Sequence, residues 1–455
     1  MPCGSSGRGA PPTRGRGTPV RHLTGLALAL TAVAAMAQPV APGFPDARAS
    51  DPAALGWMQG FPPPPDKIIR FADDSFAAFP QRRWAFSNIR QLVPTRAVSR
   101  GLAAPVPLPR AERADLDSVR FQVMGSGQTM TWGEAFDANY TDGIVVLHRG
   151  RIVYERYSGV LRPDGQHLAA SVTKSLVGTL GAMLVAEGVL DENAMAAKYV
   201  PEFAGTAFGD ATVRELLDMT TSLRFSEDYT NPDADVFNHV RAAGFKPRPA
   251  GYSGPVGVYA FLLTLKKEGR HGDAFTYRTV NTDALGWVIA RATGKSVGEN
   301  LQERIWVKLG AEQDAAFTVD DFGIEFAGGG LNTGLRDLAR FGETMRLGGR
   351  FNDRQIVPQA VVEDIRRGGD QVRFASAGYA LLPGWSYRDM WWVTHNEHGA
   401  YSARGVHGQA VYIDPAAGMV IARYASHPLA ANANLDPTSL PAYHALARYL
   451  RAHPR

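Results

Sequence analysis

Cysteine is almost absent from this 455-residue chain: Cys3 is the one copy. Beyond it there is no thiol nucleophile, no thiolate metal ligand and no partner for a disulfide, so the folded part must be held by its core. Long apolar runs are scarce too, and after residue 37 none reaches the length that spans a bilayer. Net charge is missing once the N-terminus is set aside. The whole chain carries +4, and Arg8, Arg14, Arg16 and Arg21, in a 37-residue stretch with no acid and no lysine, account for all of it. The pI of about 9.1 is therefore set largely by those arginines. The remainder has no charge excess of the kind that binds nucleic acid.

The same four arginines precede an apolar run at 23–36 that closes on Ala35-Met36-Ala37. A basic region, a short apolar region and small residues at the cleavage position are the parts of a secretory signal peptide. Residues 1–37 are expected to be removed after Ala37, leaving a secreted or periplasmic chain with no integral membrane span. From 38 to about 115 proline, alanine and arginine dominate, with FPPPP at 61–65. Proline runs favour extended chain without internal hydrogen bonds, so an N-terminal arm laid over the main domain is expected, with Trp57, Phe76 and Trp84 able to pack.

The main domain is expected at 116–455. Two β-branched runs, 144–148 and 152–157, flank Arg149-Gly150-Arg151 and predict a hairpin. Helical patterns follow at 211–223, 257–269 and 281–294, then at 335–349 and 358–369 with glycine stops. Strands return in GQAVYIDP and GMVIARYAS, and a helix over 438–452 closes the chain. This order predicts an α+β body: an antiparallel sheet built from both ends of the sequence, flanked by helices, with a helical subdomain inserted over about 172–320.

Chemistry is concentrated in AASVTKSLVGTLGAMLVAEGVLD, residues 169–191. Its apolar residues recur at helical spacing, and Ser171 stands at the helix start three positions before Lys174. A hydroxyl there has unpaired backbone N–H groups and the positive end of the helix dipole beside it, and Lys174 shares its face. That arrangement can make a nucleophile with an amine as its base. The same serine could simply cap the helix, so its partners decide.

Three decoys fall away. Gly294-Lys295-Ser296 lacks the upstream glycine and preceding strand of a phosphate loop. Extended to Val297-Gly298 it copies a nucleophile elbow but follows a helix, so Gly294 reads as a helix stop and Ser296 as a cap. His395, His398 and His407 match no zinc spacing. Neither a metal nor a cofactor is expected.

Three strings carry a resemblance: Ser171-Val-Thr-Lys174, Tyr277-Arg-Thr-Val-Asn-Thr-Asp-Ala-Leu-Gly286, and AGGGLNTGLRDLARFG at 327–342. With them the chain resembles the superfamily of class C β-lactamases, D-alanyl-D-alanine carboxypeptidases and esterases. Glu227-Asp228-Tyr229, Asn281-Thr282-Asp283, Trp391-Trp392 and Gly405-Val406-His407-Gly408-Gln409 make it most similar to the 6-aminohexanoate-dimer hydrolase branch. The resemblance implies a β-lactamase/transpeptidase-like fold with Ser171 as nucleophile, Lys174 as general base and Tyr277 as second proton-transfer group. It implies an oxyanion hole made by the backbone N–H groups of Ser171 and Val406. Tyr229, Trp392 and His407 would surround a small amide or ester substrate, without a cofactor.

The departures from that pattern narrow the chemistry. Tyr277-Arg-Thr279 has threonine where the β-lactamase pattern has asparagine. No Lys-Thr-Gly occurs; its place is taken by Ala403-Arg404-Gly405 or His407-Gly408-Gln409, where Arg404 or His407 would have to hold a carboxylate. This argues against β-lactam hydrolysis and for linear amides or esters cleaved through an acyl-enzyme on Ser171. The alternative is a β-lactamase or D-alanyl-D-alanine carboxypeptidase acting on peptidoglycan-like substrates. A non-catalytic ligand-binding module that kept the fold is the alternative of another class.

Overall fold

The hairpin expected at 144–157 forms one end of a seven-stranded sheet in the computed structural model, which describes residues 43–454. The expected leader lies outside the described residues. The strands are β1 (Thr141–His148), β2 (Arg151–Tyr157), β3 (Ser386–Arg388), β4 (Trp391–Val393), β5 (Tyr401–Gly405), β6 (Gln409–Asp414) and β7 (Met419–Ala425). They run antiparallel in the order β3-β4-β5-β6-β7-β1-β2. The N-terminal hairpin thus closes onto the last strand of the sequence.

Both faces of this sheet are covered, which is why its strands read as nearly continuous apolar runs. Successive side chains point to opposite faces. Val145 and Leu147 join one core, which also holds Leu176, Leu338 and Phe341, while Ile144 and Val146 join another with Leu446 and Leu450. The helices supplying these residues are α1 (Val172–Ala186), α4 (Leu335–Arg346) and α5 (Asp436–Ala452); α2 (Asp235–Ala242) and α3 (Val280–Thr293) lie between α1 and α4 in the chain. Each fully buried Leu, Val or Phe contributes roughly 1.5–3 kcal/mol, which supports a large fold without disulfides.

α1 is buried from Val172 to Leu184, so close approach rather than amphipathicity fixes its position. A Cβ at Gly178 would lie 2.3 Å from the Asp389 carbonyl oxygen. Ser175 donates to the Met390 carbonyl at 2.7 Å, and the Trp391 indole donates to Thr179 at 3.0 Å.

A second antiparallel sheet of four strands has the order Thr95–Val98, Ala315–Thr318, Leu331–Gly334, Gln166–Leu168. Its last strand runs directly into Ser171, and Leu331–Gly334 follows the Gly328-Gly329-Gly330 turn, so this sheet sets two sides of the site. Residues 43–115 run across the same region. Arg83 there is buried and pairs with Asp142 at 3.2 Å, and His167 meets the other Asp142 oxygen at 3.3 Å. Phe86, Ile89 and Val93 pack with Leu168 and Ala170.

Two expected helices are shorter than their patterns. The 211–223 segment is helical only over Val213–Leu217, because Met219 takes a φ of 52° and Asp218 is engaged by Arg214 and Arg388. The 257–269 segment is helical over Val258–Thr264 and then extends. The released ends, Leu223–Arg224 and Lys266–Lys267, pair as an antiparallel ladder, a tertiary contact that overrides local propensity. Elsewhere Ser296 caps its helix in a reciprocal box with Glu299, and Gly294 ends α3 at φ 68°.

Candidate active site

Ala170 holds a φ of 44°, a left-handed conformation costly for a residue with a Cβ and typical of sites that aim the next side chain. That next residue is Ser171, at the N-cap of α1, and its hydroxyl caps nothing. Instead Lys174 Nζ lies 2.8 Å from Ser171 Oγ, and Tyr277 lines the same cavity beside the serine and interacts with it. The Lys174 amine also donates to the Gly328 carbonyl and sits 5.2 Å above the centre of the Tyr277 ring.

The Gly328 carbonyl is held there from behind. The Gly328 N–H donates to Asp283 at 2.9 Å, and Asp283, on α3, lies 2.9 Å from the buried His239 of α2. A Cβ at 328 would strike the Thr279 side chain at 2.4 Å, so the carbonyl can approach Lys174 only with glycine at this position.

Burial orders the proton affinities. It pushes the Lys174 amine down to about 8, against the opposing pull of Glu227 and Asp283. It pushes the Tyr277 hydroxyl well above its ordinary range, helped by Glu227. Near pH 7 about one Lys174 in ten is then neutral, whereas tyrosinate is far rarer. Lys174 is the group able to take the serine proton, and Tyr277 the group able to give one. For ester hydrolysis, kcat/KM is expected to rise about tenfold per pH unit at low pH and to level off above about 8. A profile flat from pH 6 to 9 would contradict this ordering.

Gly405 ends β5 against the serine backbone: a Cβ there would lie 3.0 Å from the Ser171 nitrogen and 3.1 Å from the Ala169 oxygen. The next residue is Val406. Neither the Ser171 nor the Val406 N–H donates to another group among the described residues, leaving both for an oxyanion. Gly405 has an ordinary φ of −135°, so alanine is allowed by the backbone but crowds the Ser171 N–H. Gly405→Ala is expected to lower kcat about 10- to 100-fold. Ester kinetics check this, and an unchanged kcat would remove the Ser171 N–H from the chemistry.

The remaining sequence candidates separate by position. Trp391 is fully buried against α1 and α4, whereas the Trp392 ring packs 5.5 Å from Tyr277 and faces the cleft. Tyr229 donates to Glu227 at 3.0 Å and lines the cleft beside Ser171. His407 lines the neighbouring cavity, and its ring is committed: one nitrogen donates to the His427 carbonyl at 2.7 Å, and Arg82 approaches the ring. Arg404 is paired with Asp436 and stacked over Trp392. Thr279 is turned to Glu227 through its N–H and its hydroxyl, both at 2.6 Å.

His395 bonds Ser386, and His398 bonds Asp414. Among the described residues no three His, Cys, Asp or Glu side chains are grouped to hold a metal. Two cavities meet at the serine, one of about 200 Å³ and one of about 440 Å³, sharing Ser171, Tyr229 and Val406.

Residues 138–440 match the family model described as Beta-lactamase. The chain belongs to the beta-lactamase family. It is 37% identical over 356 residues to a 6-aminohexanoate-dimer hydrolase of Paenarthrobacter ureafaciens, covering 78% of this chain and 88% of that protein. A solved structure of a candidate 6-aminohexanoate-dimer hydrolase from Bacillus anthracis aligns with TM-score 0.77 and 32% identity over 84% of this chain and 97% of that one. EstCE1, a hydrolase with promiscuous acyltransferase activity, is similar in fold alone, with TM-score 0.54 and 16% identity over 69% of this chain and 96% of its own. This beta-lactamase family member is accordingly a hydrolase with the β-lactamase/transpeptidase-like fold.

Sequence reasoning assigned no role to the Gly328 carbonyl, to Glu227 as anchor of Tyr229 and Thr279, or to Asp283 behind Gly328. Asp283 and the glycine triplet stand in the strings that carry the resemblance, and a polar Asn-Thr-Asp run inside a buried helix was the available signal.

Proposed function

We propose that this chain is a serine hydrolase cleaving small linear amides or esters through an acyl-enzyme on Ser171. The reading rests on one observation: Ser171 Oγ, at the junction of two cavities, is 2.8 Å from an amine whose affinity for a proton is lowered by burial, with Tyr277 beside the serine in the larger cavity. Neutral Lys174 takes the Ser171 proton as Oγ attacks the carbonyl carbon. The oxyanion is held by the Ser171 and Val406 N–H groups. The proton passes through Tyr277 to the leaving amine or alkoxide as the carbonyl–leaving-group bond breaks. Water then attacks the ester, Lys174 takes its proton, and that proton returns to Ser171 Oγ as the acid departs. Trp392 lines the leaving side, Tyr229 stands where the two cavities meet, and His407 supports the wall opposite.

The Asp436-paired Arg404 and the Glu227-bound Thr279 support linear substrates over lactams, because neither is free to take the carboxylate or side-chain amide of a β-lactam. Among the described residues no helix is long and apolar enough to cross a membrane. We read residues 1–37 as a signal peptide and the mature chain as periplasmic or secreted. Within it, 38–115 forms the arm and 116–455 the hydrolase domain, with its helical insertion at about 172–320. The test is a panel of a short p-nitrophenyl ester, a linear anilide and a chromogenic cephalosporin, with Ser171→Ala as control. Ester and anilide turnover lost in Ser171→Ala is expected, and a lactam preference would transfer the chain to the β-lactamase or carboxypeptidase reading.

A further inference from the structure

The two cavities at Ser171 differ in kind. The larger is lined by Tyr277, the proton donor to the leaving group, together with Trp392 and Tyr379; the smaller does not touch Tyr277. The leaving group therefore departs into the larger cavity, and the acyl part of the substrate occupies the smaller. At about 200 Å³ that space is well over ten times what one ordered water needs, so acetyl leaves most of it empty.

Its walls are apolar: Phe76 and Phe86 from the arm, Val240 and Phe245 around α2, and Phe326. Charge enters at three points. Asp74 is the one carboxylate in the lining, and Lys246 already neutralises it. The second Asp74 oxygen is shut away from solvent. Arg82 is in hydrogen-bond contact with the carbonyls of Ala77 and Pro428 and with His407, and has no carboxylate partner among the described residues. His407 is held neutral by burial and by Arg82. The lining thus carries one uncompensated positive charge and no free negative one.

We propose that the smaller cavity is an acyl pocket that selects an uncharged aliphatic chain longer than acetyl and rejects a chain ending in an ammonium group. This rests on the reading of Ser171 as the acyl-transfer nucleophile. An alkyl chain exchanges water for phenylalanine and valine surface, while an ammonium of the same length loses its hydration, meets no carboxylate and faces a guanidinium.

The test compares kcat/KM for the p-nitrophenyl esters of acetate, hexanoate and 6-aminohexanoate on the whole protein and on Lys246→Met, which releases Asp74. Hexanoate is expected to exceed both other esters by at least about tenfold. In Lys246→Met the 6-aminohexanoate to hexanoate ratio is expected to rise by about threefold or more, a ratio independent of how much variant folds. Equal turnover of hexanoate and 6-aminohexanoate, no gain over acetate, or an unchanged ratio in Lys246→Met overturns the pocket assignment, while acetate turnover lost in Ser171→Ala leaves the hydrolase reading standing. No turnover of any ester, with no fluorophosphonate labelling of Ser171, overturns both.

Discussion

Ser171→Ala is expected to lower kcat for an activated ester by about 10⁴-fold or more, Lys174→Met by a similar factor, and the double variant by no more than either alone. The equality follows from the geometry. The serine oxygen is a nucleophile only while Lys174, 2.8 Å away, can hold its proton, so removing either group removes the same step. What survives in all three variants is the contribution of the Ser171 and Val406 N–H groups. Neither substitution breaks the fold, because Ser171 makes no capping bond and methionine fills much of the lysine volume. Steady-state kinetics with near-unchanged melting temperatures check this. Additive losses would show that the two side chains serve separate steps.

Tyr277→Phe is expected to lower kcat for a linear anilide by about 10²- to 10⁴-fold, and for a p-nitrophenyl ester by markedly less. p-Nitrophenolate departs without a proton, whereas an amine leaves only after receiving one. The Tyr277 hydroxyl is the group beside Ser171 that keeps its proton at working pH, since burial and Glu227 hold it well above its ordinary range. The ring remains in the variant, packed against Trp392 and under Lys174, so the loss reports the hydroxyl alone. Equal losses on both substrates would make Tyr277 a positioning residue for Ser171 instead of the donor to the leaving group.

Much of this site is legible in the sequence where its parts are local. Ser171 and Lys174 share a helix face by spacing, the hairpin shows as two β-branched runs, and adjacent tryptophans on one strand must face opposite ways, as Trp391 and Trp392 do. The parts that escape are those made by distant or featureless groups. The Gly328 carbonyl that receives Lys174 lies 154 residues along the chain, and a backbone oxygen leaves no mark on composition. Phe76, Arg82 and Phe86 belong to a proline-rich stretch that reads as covering, yet they wall the smaller cavity. Two helical patterns overran because Met219 at positive φ and the ladder of Leu223–Arg224 with Lys266–Lys267 are set by tertiary contacts.

The central claim is that substrate is carried as an ester on Ser171. Acid-quenching the protein during turnover of a slow ester, then mapping its peptides by mass spectrometry, reads this directly. An acyl mass on the peptide that contains Ser171, appearing within one turnover and decaying when substrate is exhausted, is the predicted result. Turnover with no acylated peptide, or with the acyl group on another residue, would contradict it.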